Sequence, residues 1–187
     1  MALEIIPHPR HVAGPRGFTM VELVTVIVIM GIMAAVAAPR FFERQTFDAR
    51  TFTDQTRTML RLAQKVAIAQ NRPVHVRLDG QSVALCFDAA CTALVFPPGG
   101  SNSGSAVTVA KCGGVSAWSC EGVPSGLAYT LTAGAGSTFY FDPIGKPYAA
   151  GDAWPSLASS FQQLVVRITG DGVNHDVTVE TETGYVH

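Results

Sequence analysis

The chain has 187 residues, 13 Lys/Arg against 14 Asp/Glu, a formal net charge of −1, and 48% hydrophobic residues. That length leaves room for one domain besides an anchor, because a domain typically takes about 100–150 residues. The near-neutral balance lacks the clustered basic surface that a phosphate backbone requires, which argues against a general nucleic-acid binder.

Residues 1–17 carry Arg10, Arg16, His8 and His11, with Glu4 as their one acid. Positive residues before an apolar span keep that end cytoplasmic. From Leu23 to Ala38 every residue except Thr25 and Gly31 is apolar, and none is charged. The 21 residues from Phe18 to Ala38, at roughly 1.5 Å each, match the roughly 30 Å hydrocarbon core of a bilayer, so a single spanning helix is expected. Glu22 near its start needs a reason to persist, since a carboxylate in such a span costs about 2.5–3.5 kcal/mol at the centre. One reason is a position in the headgroup region, in contact with water.

A second reason comes from the residues around it. Gly17-Phe18-Thr19-Met20-Val21-Glu22, followed by the long apolar run, resembles the N-terminal signature of type IV pilins and type II secretion pseudopilins. The resemblance implies that a prepilin peptidase and methyltransferase cuts after Gly17 and methylates Phe18 as the new N-terminus. It implies that Glu22 aids methylation and pairs with the N-terminal amine of a neighbouring subunit, so that two groups costly alone in apolar surroundings offset one another. Pro39, also a habit of the family at this point, is expected to loosen or kink the helix. The competing reading is an ordinary secretory signal, because Ala35-Val36-Ala37 has the small-x-small pattern of a cleavage site. That reading strands Glu22 at the edge of an apolar run longer than the usual core of about 7–15 residues.

The sequence thus divides into a leader (1–17), a transmembrane and assembly helix (18–39) and a domain (40–187). Removing the first two, which hold two cations and two acids, leaves 148 residues with 11 Lys/Arg and 12 Asp/Glu. Residues 40–71 read as an amphipathic helix: Phe52, Met59, Ala63 and Val66 fall on one face. Arg50, Asp54, Arg57, Arg61 and Lys65 fall on another, a solvated face or an anion contact, with Asp54 placed to support neighbours at i±3 or i±4. Asn71-Arg72-Pro73 ends it.

Strands 73–187 follow. Val74 to Leu78 alternates, Asp79-Gly80 signals a turn, and Ser82 to Phe87 returns as the second strand of a hairpin. His75 reads as a half-exposed strand residue, since no partner acid, His or Cys recurs at useful spacing. Pro97 to Gly126, rich in Gly, Ser, Pro and Cys, reads as a long loop tied by cysteine in which only Val107-Thr108-Val109 suggests a strand, and Trp118 is read as its anchor. Strands are expected at Leu127 to Leu131, Thr138 to Phe141, Leu164 to Thr169 and Val177 to Glu180, the last two flanking a Gly170-Asp171-Gly172 turn. A turn and short strand close the chain. The fold class is α+β: a long N-terminal helix, membrane-spanning in its first half, packed on an antiparallel sheet in a pilin-like arrangement.

Cys86, Cys91, Cys112 and Cys120 agree with export to an oxidising compartment. Four cysteines allow three pairings, of which proximity favours Cys86 with Cys91 and Cys112 with Cys120. A zinc site is the alternative, although the C-x4-C and C-x7-C spacings fit zinc ligation only partly.

The later sequence is similar to the GspH/FimT-type minor pseudopilins. The similarity lies in Leu62 to Ala69 leading into Val74-His75-Val76, in Phe141-Asp142-Pro143-Ile144-Gly145, and in Val179 to Val186. Phe47-Asp48-Ala49-Arg50 and the Ala-Gln-Lys helix look most like the minor pilins of mannose-sensitive haemagglutinin pili. This resemblance implies a minor subunit, inserted singly in the inner membrane with a periplasmic domain. Its partners would be other major and minor pilins, reached through the N-terminal helix in a pilus or pseudopilus. Some FimT-like relatives take up DNA through a basic C-terminal region. Here Glu180 to His187 carries two acids and no Lys or Arg, so nucleic acid is not an expected partner. An ordinary exported binding domain is the other alternative. No nucleophile elbow, metal pair, phosphate loop or cofactor pattern supports an enzyme, and Gly134-Ala135-Gly136 leads into a strand, not a helix.

Overall fold

The structure, a computed structural model, describes residues 18–132, 136–155, 157–170 and 172–187, with the side chains of 38–44 and 132 left aside. The expected leader, with Gly17, lies outside the described residues, as do Gly134, Ala135 and Asp171. Two compact units are present, Met1–Arg40 and Phe41–His187. The first helix, α1 (Met20–Gln70), contributes to both, and its assignment runs through Pro39 without a break. In the N-terminal unit α1 is apolar on every side and exposed from its start to Ala37.

In the C-terminal unit α1 is amphipathic, with Phe52, Leu60, Ala63 and Ala67 fully buried and Met59 nearly so. Val66, expected on this face, is partly buried against the same cluster. The helix stops where Asn71 adopts a left-handed φ of 49°, a conformation Asn tolerates at a helix end. Its N–H donates to the Ile68 carbonyl, and the Arg72 N–H to the Ala67 carbonyl.

The strands are β1 (Val74–Leu78), β2 (Ser82–Cys86), β3 (Cys120–Gly122), β4 (Ala128–Thr132), β5 (Thr138–Phe141), β6 (Pro147–Ala149), β7 (Leu164–Thr169) and β8 (Asn174–Val179), with α2 (Ala106–Lys111) between β2 and β3. They form two antiparallel sheets, one of five strands in the order β3-β2-β1-β5-β6 and one of three, β4-β7-β8. The single sheet that strand patterns suggest is therefore divided. Alternation fixes which residues of one strand share a face, but not which strands pair.

Val74, Val76 and Leu78 of β1, Phe139 and Phe141 of β5, and Leu164, Val166 and Ile168 of β7 meet the buried face of α1 in one core. A smaller cluster of Ala84, Cys86, Cys112, Trp118 and Cys120 lies apart from it. Its presence explains why β2 is buried at all five positions, where a strand with one solvated face would alternate. Trp118 is 5% exposed, and its Nε1 donates to the Cys112 carbonyl at 3.2 Å. It is an anchor, as expected of a side chain that size.

Val107-Thr108-Val109 is helical, not extended. Ser105 caps α2 by accepting from the Thr108 N–H at 3.0 Å, and Lys111 in the last turn donates to the Val123 carbonyl at 2.8 Å. A capped turn held by a disulfide at Cys112 outweighs the β preference of two valines. The supposed long loop also contains β3. β6 begins at Pro147 on the sheet edge, the place where a missing N–H costs no ladder bond. β8 starts at Asn174, three residues earlier than its apolar pattern suggests. Asp176 faces Arg167 in register and accepts from its Nε and Nη2 at 2.9 and 2.8 Å, a forked cross-strand pair that holds polar residues in the strand.

Candidate functional site

Two sets of residues are candidates: the start of α1 and a clamp in the C-terminal unit. Thr19 precedes α1, and its Oγ1 accepts from the Glu22 N–H at 3.2 Å while its carbonyl accepts from the Leu23 N–H at 3.2 Å. Thr19-Met20-Val21-Glu22 therefore has the spacing of a capping box, a signal the family motif conceals in the sequence. Glu22 stands in the first turn, where the helix dipole favours a carboxylate by about 0.3–1 kcal/mol. It is exposed and forms no ion pair among the described residues. Thr25, a polar break in the apolar run, donates its hydroxyl to the Glu22 carbonyl at 2.9 Å, so it brings no unsatisfied donor into that run.

Every residue from Phe18 to Ala37 is exposed, with Phe18 at 77% and Met20 at 87%. The 18 residues Met20–Ala37 have a mean hydropathy of 2.5, enough in length and composition to cross a membrane. Withdrawing each large apolar side chain from water yields about 2 kcal/mol. This segment calls for lipid or for other apolar helices around it.

In the C-terminal unit, three stretches that are far apart in sequence meet. Gln64 on α1 donates through Nε2 to the Gly145 and Thr183 carbonyls, both at 2.9 Å. Arg61, one turn away, donates through Nε and Nη2 to the Val186 carbonyl at 3.1 and 2.9 Å. Asp142 is buried, and its Oδ1 accepts from the Ile144 and Lys146 N–H groups, shaping the turn that presents Gly145. Lys146 reaches Glu182 at 2.7 Å. Gly145 and Gly184 have φ of +87° and +63°, and a Cβ at Gly184 would meet the Gly145 carbonyl oxygen. Arg61 is thus a clamp on the C-terminal segment, not a free member of a solvated face, whereas Asp54 holds Arg57 at 2.7 Å as the i,i+3 spacing suggested.

Cys86 is bonded to Cys91 and Cys112 to Cys120, with Cα separations of 5.0 and 6.0 Å. No free cysteine remains. No group of three or more potential metal ligands occurs among the described residues. His75 is half-buried with its ring 5.2 Å from that of Tyr140, and burial holds its pKa below the usual histidine range. Burial also pushes the Tyr140 hydroxyl up to about 12, and it donates to the Asp152 carbonyl at 2.9 Å. At the C-terminus His187 and Gln163 both contact Glu180, which lowers that carboxyl, and the Arg167 guanidinium is occupied by Asp176. The region offers paired charges in place of a basic surface.

A family profile described as "Prokaryotic N-terminal methylation motif" matches residues 14–38. The chain is 33% identical over 93 residues to the type IV narrow pilus major component PilA5 of Thermus thermophilus, spanning 50% of this chain and 69% of that protein. Among solved structures it is similar to the type IV minor pilin FimU of Pseudomonas aeruginosa, at 13% identity and a TM-score of 0.48, over 79% of this chain and 90% of that one. It is also similar to the minor pseudopilin EpsH from the type 2 secretion system of Vibrio cholerae, at 14% identity and a TM-score of 0.44, over 76% and 94%.

Proposed function

The chain belongs to the type IV pilin family, and from that premise we propose that it is a minor structural subunit of a type IV pilus or type II secretion pseudopilus. It is cleaved after Gly17, methylated on Phe18, anchored in the inner membrane through residues 18–39 and displayed in the periplasm from residue 40 onward. The observation that carries this reading is the complete exposure of an apolar helix that opens on Thr19 and Glu22. Such a helix is stable first in lipid and then against the corresponding helices of other pilins. Glu22 has no ionic partner among the described residues, which supports a role in receiving the Phe18 amine of a neighbouring subunit. The minor assignment is supported by the resemblance of the α1, Asp142-turn and C-terminal stretches to minor pseudopilins, three segments that meet at one clamp. The role is assembly or initiation of the filament, not catalysis.

Mass spectrometry of the protein from its native membrane tests the processing: a chain starting at N-methyl-Phe18 supports it, and one starting at Ala38 means ordinary secretion. Glu22→Ala should leave the C-terminal unit folded while incorporation into filaments falls tenfold or more, since breaking a buried ion pair costs about 3–5 kcal/mol. Normal incorporation would remove the role given to Glu22. Quantitative mass spectrometry of purified filaments should find this subunit far scarcer than the principal one, and parity would make it a major component.

A further inference from the structure

Two cavities of about 480 and 610 Å³ lie side by side in the C-terminal unit, sharing Thr51, Gln55 and Glu121 in their walls. Together they form a groove along α1, bounded on its other side by the segment from Pro97 to Ser105 and by β3. Among the described residues neither wall contains a Lys, Arg or His. Three acids border it, and their situations differ. Asp54 is neutralised by Arg57 at 2.7 Å. Glu121, 9% exposed, accepts from the Ser103 N–H at 2.7 Å and from the Thr108 hydroxyl at 3.1 Å, but meets no cation. Asp48 is half-buried and has no hydrogen bond or ion pair among the described residues.

The other end of the groove is apolar, walled by Met59, Leu62, Pro97 and Pro98. Ser119 also borders that end; it is 4% exposed and its hydroxyl has no hydrogen-bond partner. Asp48 is separated from Met59 and Leu62 by 11 and 14 helical residues, roughly 16–21 Å at 1.5 Å per residue. An extended chain covers that in about five or six residues. A half-buried carboxylate that meets no counter-charge among the described residues at one end and an open apolar wall at the other complement a ligand that carries both features at that spacing.

We propose that this groove docks an extended segment of another polypeptide, with a Lys or Arg set against Asp48 and an apolar side chain five or six residues away against Met59, Leu62, Pro97 and Pro98. The site is separate from the Phe18–Glu22 segment and does not depend on the processing or assembly of that segment. The full chain in detergent micelles is used to select from a displayed library of random decapeptides, and an enriched peptide is titrated by fluorescence polarisation. Enrichment of Lys or Arg with an apolar residue five or six positions away is expected. Asp48→Asn should weaken binding about fivefold, as for a partly screened ion pair. Thr58→Arg, at an exposed wall position, should weaken it tenfold or more. Both variants should melt with the parent, and Arg50→Ala, outside the groove, should bind unchanged. Absence of enrichment, enrichment without a basic residue, or binding indifferent to both wall substitutions overturns the proposal. Self-association of the full chain that both substitutions abolish would make a second copy the occupant and overturn the foreign segment.

Discussion

Gly184→Ala probes the clamp between α1, the Asp142 turn and the C-terminal segment. Two costs combine. An alanine at φ +63° pays about 1–2 kcal/mol for left-handed backbone. Its Cβ would also meet the Gly145 carbonyl oxygen, with the Gln64 Nε2 at 2.8 Å and the Phe141 Cε1 at 2.9 Å. The first of these is backbone, held by Gln64, so it cannot swing aside, and overpacking of this kind costs about 1–3 kcal/mol. The sum, about 3 kcal/mol, corresponds to a fall in Tm of roughly 6–12 °C for a unit of this size. The assay is thermal unfolding of the full chain in detergent, followed by near-ultraviolet circular dichroism. Gly80→Ala is the control: Gly80 has φ +80° and nothing within 4 Å of its would-be Cβ, so only the backbone cost of about 1–2 kcal/mol applies. If the two variants melt together, or Gly184→Ala melts within about 2 °C of the parent, the close packing of Gly184 on Gly145 does not hold the C-terminal segment.

Gln64→Ala leaves the Gly145 and Thr183 carbonyls without their side-chain donor and should cost about 1–2 kcal/mol, read as a lower urea midpoint with an unchanged slope. An unmoved midpoint would show that water replaces both bonds. Replacing Cys112 and Cys120 together by Ala opens a loop with a sequence separation of 8 and should cost about 2–3 kcal/mol; equal denaturation profiles for parent and variant would contradict this. His75 has a folded pKa below its ordinary 6.5 because burial disfavours the charged ring. The unfolded chain therefore binds the proton more readily, so this contribution is present above pH 6.5 and is lost as pH falls through it. Stability measured across that range should decline toward acid, and His75→Gln should flatten the decline; an equally steep profile in the variant would assign it to another group.

The anchor helix was legible in the sequence because it depends on local quantities, an uninterrupted apolar run and its length; the Thr19 cap at its start was not read from the sequence. The buried face of α1 beyond residue 45 and the β1–β2 hairpin were legible for the same reason, since periods of 3.6 and 2 are written in consecutive residues. The alternation also located β7, but not the polar start of β8, which rests on Arg167 meeting Asp176 across the sheet.

What the sequence by itself determined was the class of the molecule: an apolar helix that must be covered, followed by an α+β domain. Tertiary structure decided how the strands divide between two sheets and that Val107 to Val109 is helical. It also decided that the cysteine-rich segment carries a second small core and that Gln64 and Arg61 reach Gly145, Thr183 and Val186. The last of these depends on partners 81 to 125 residues away, and the energy of a long-range contact exists only after the chain has closed the loop between them.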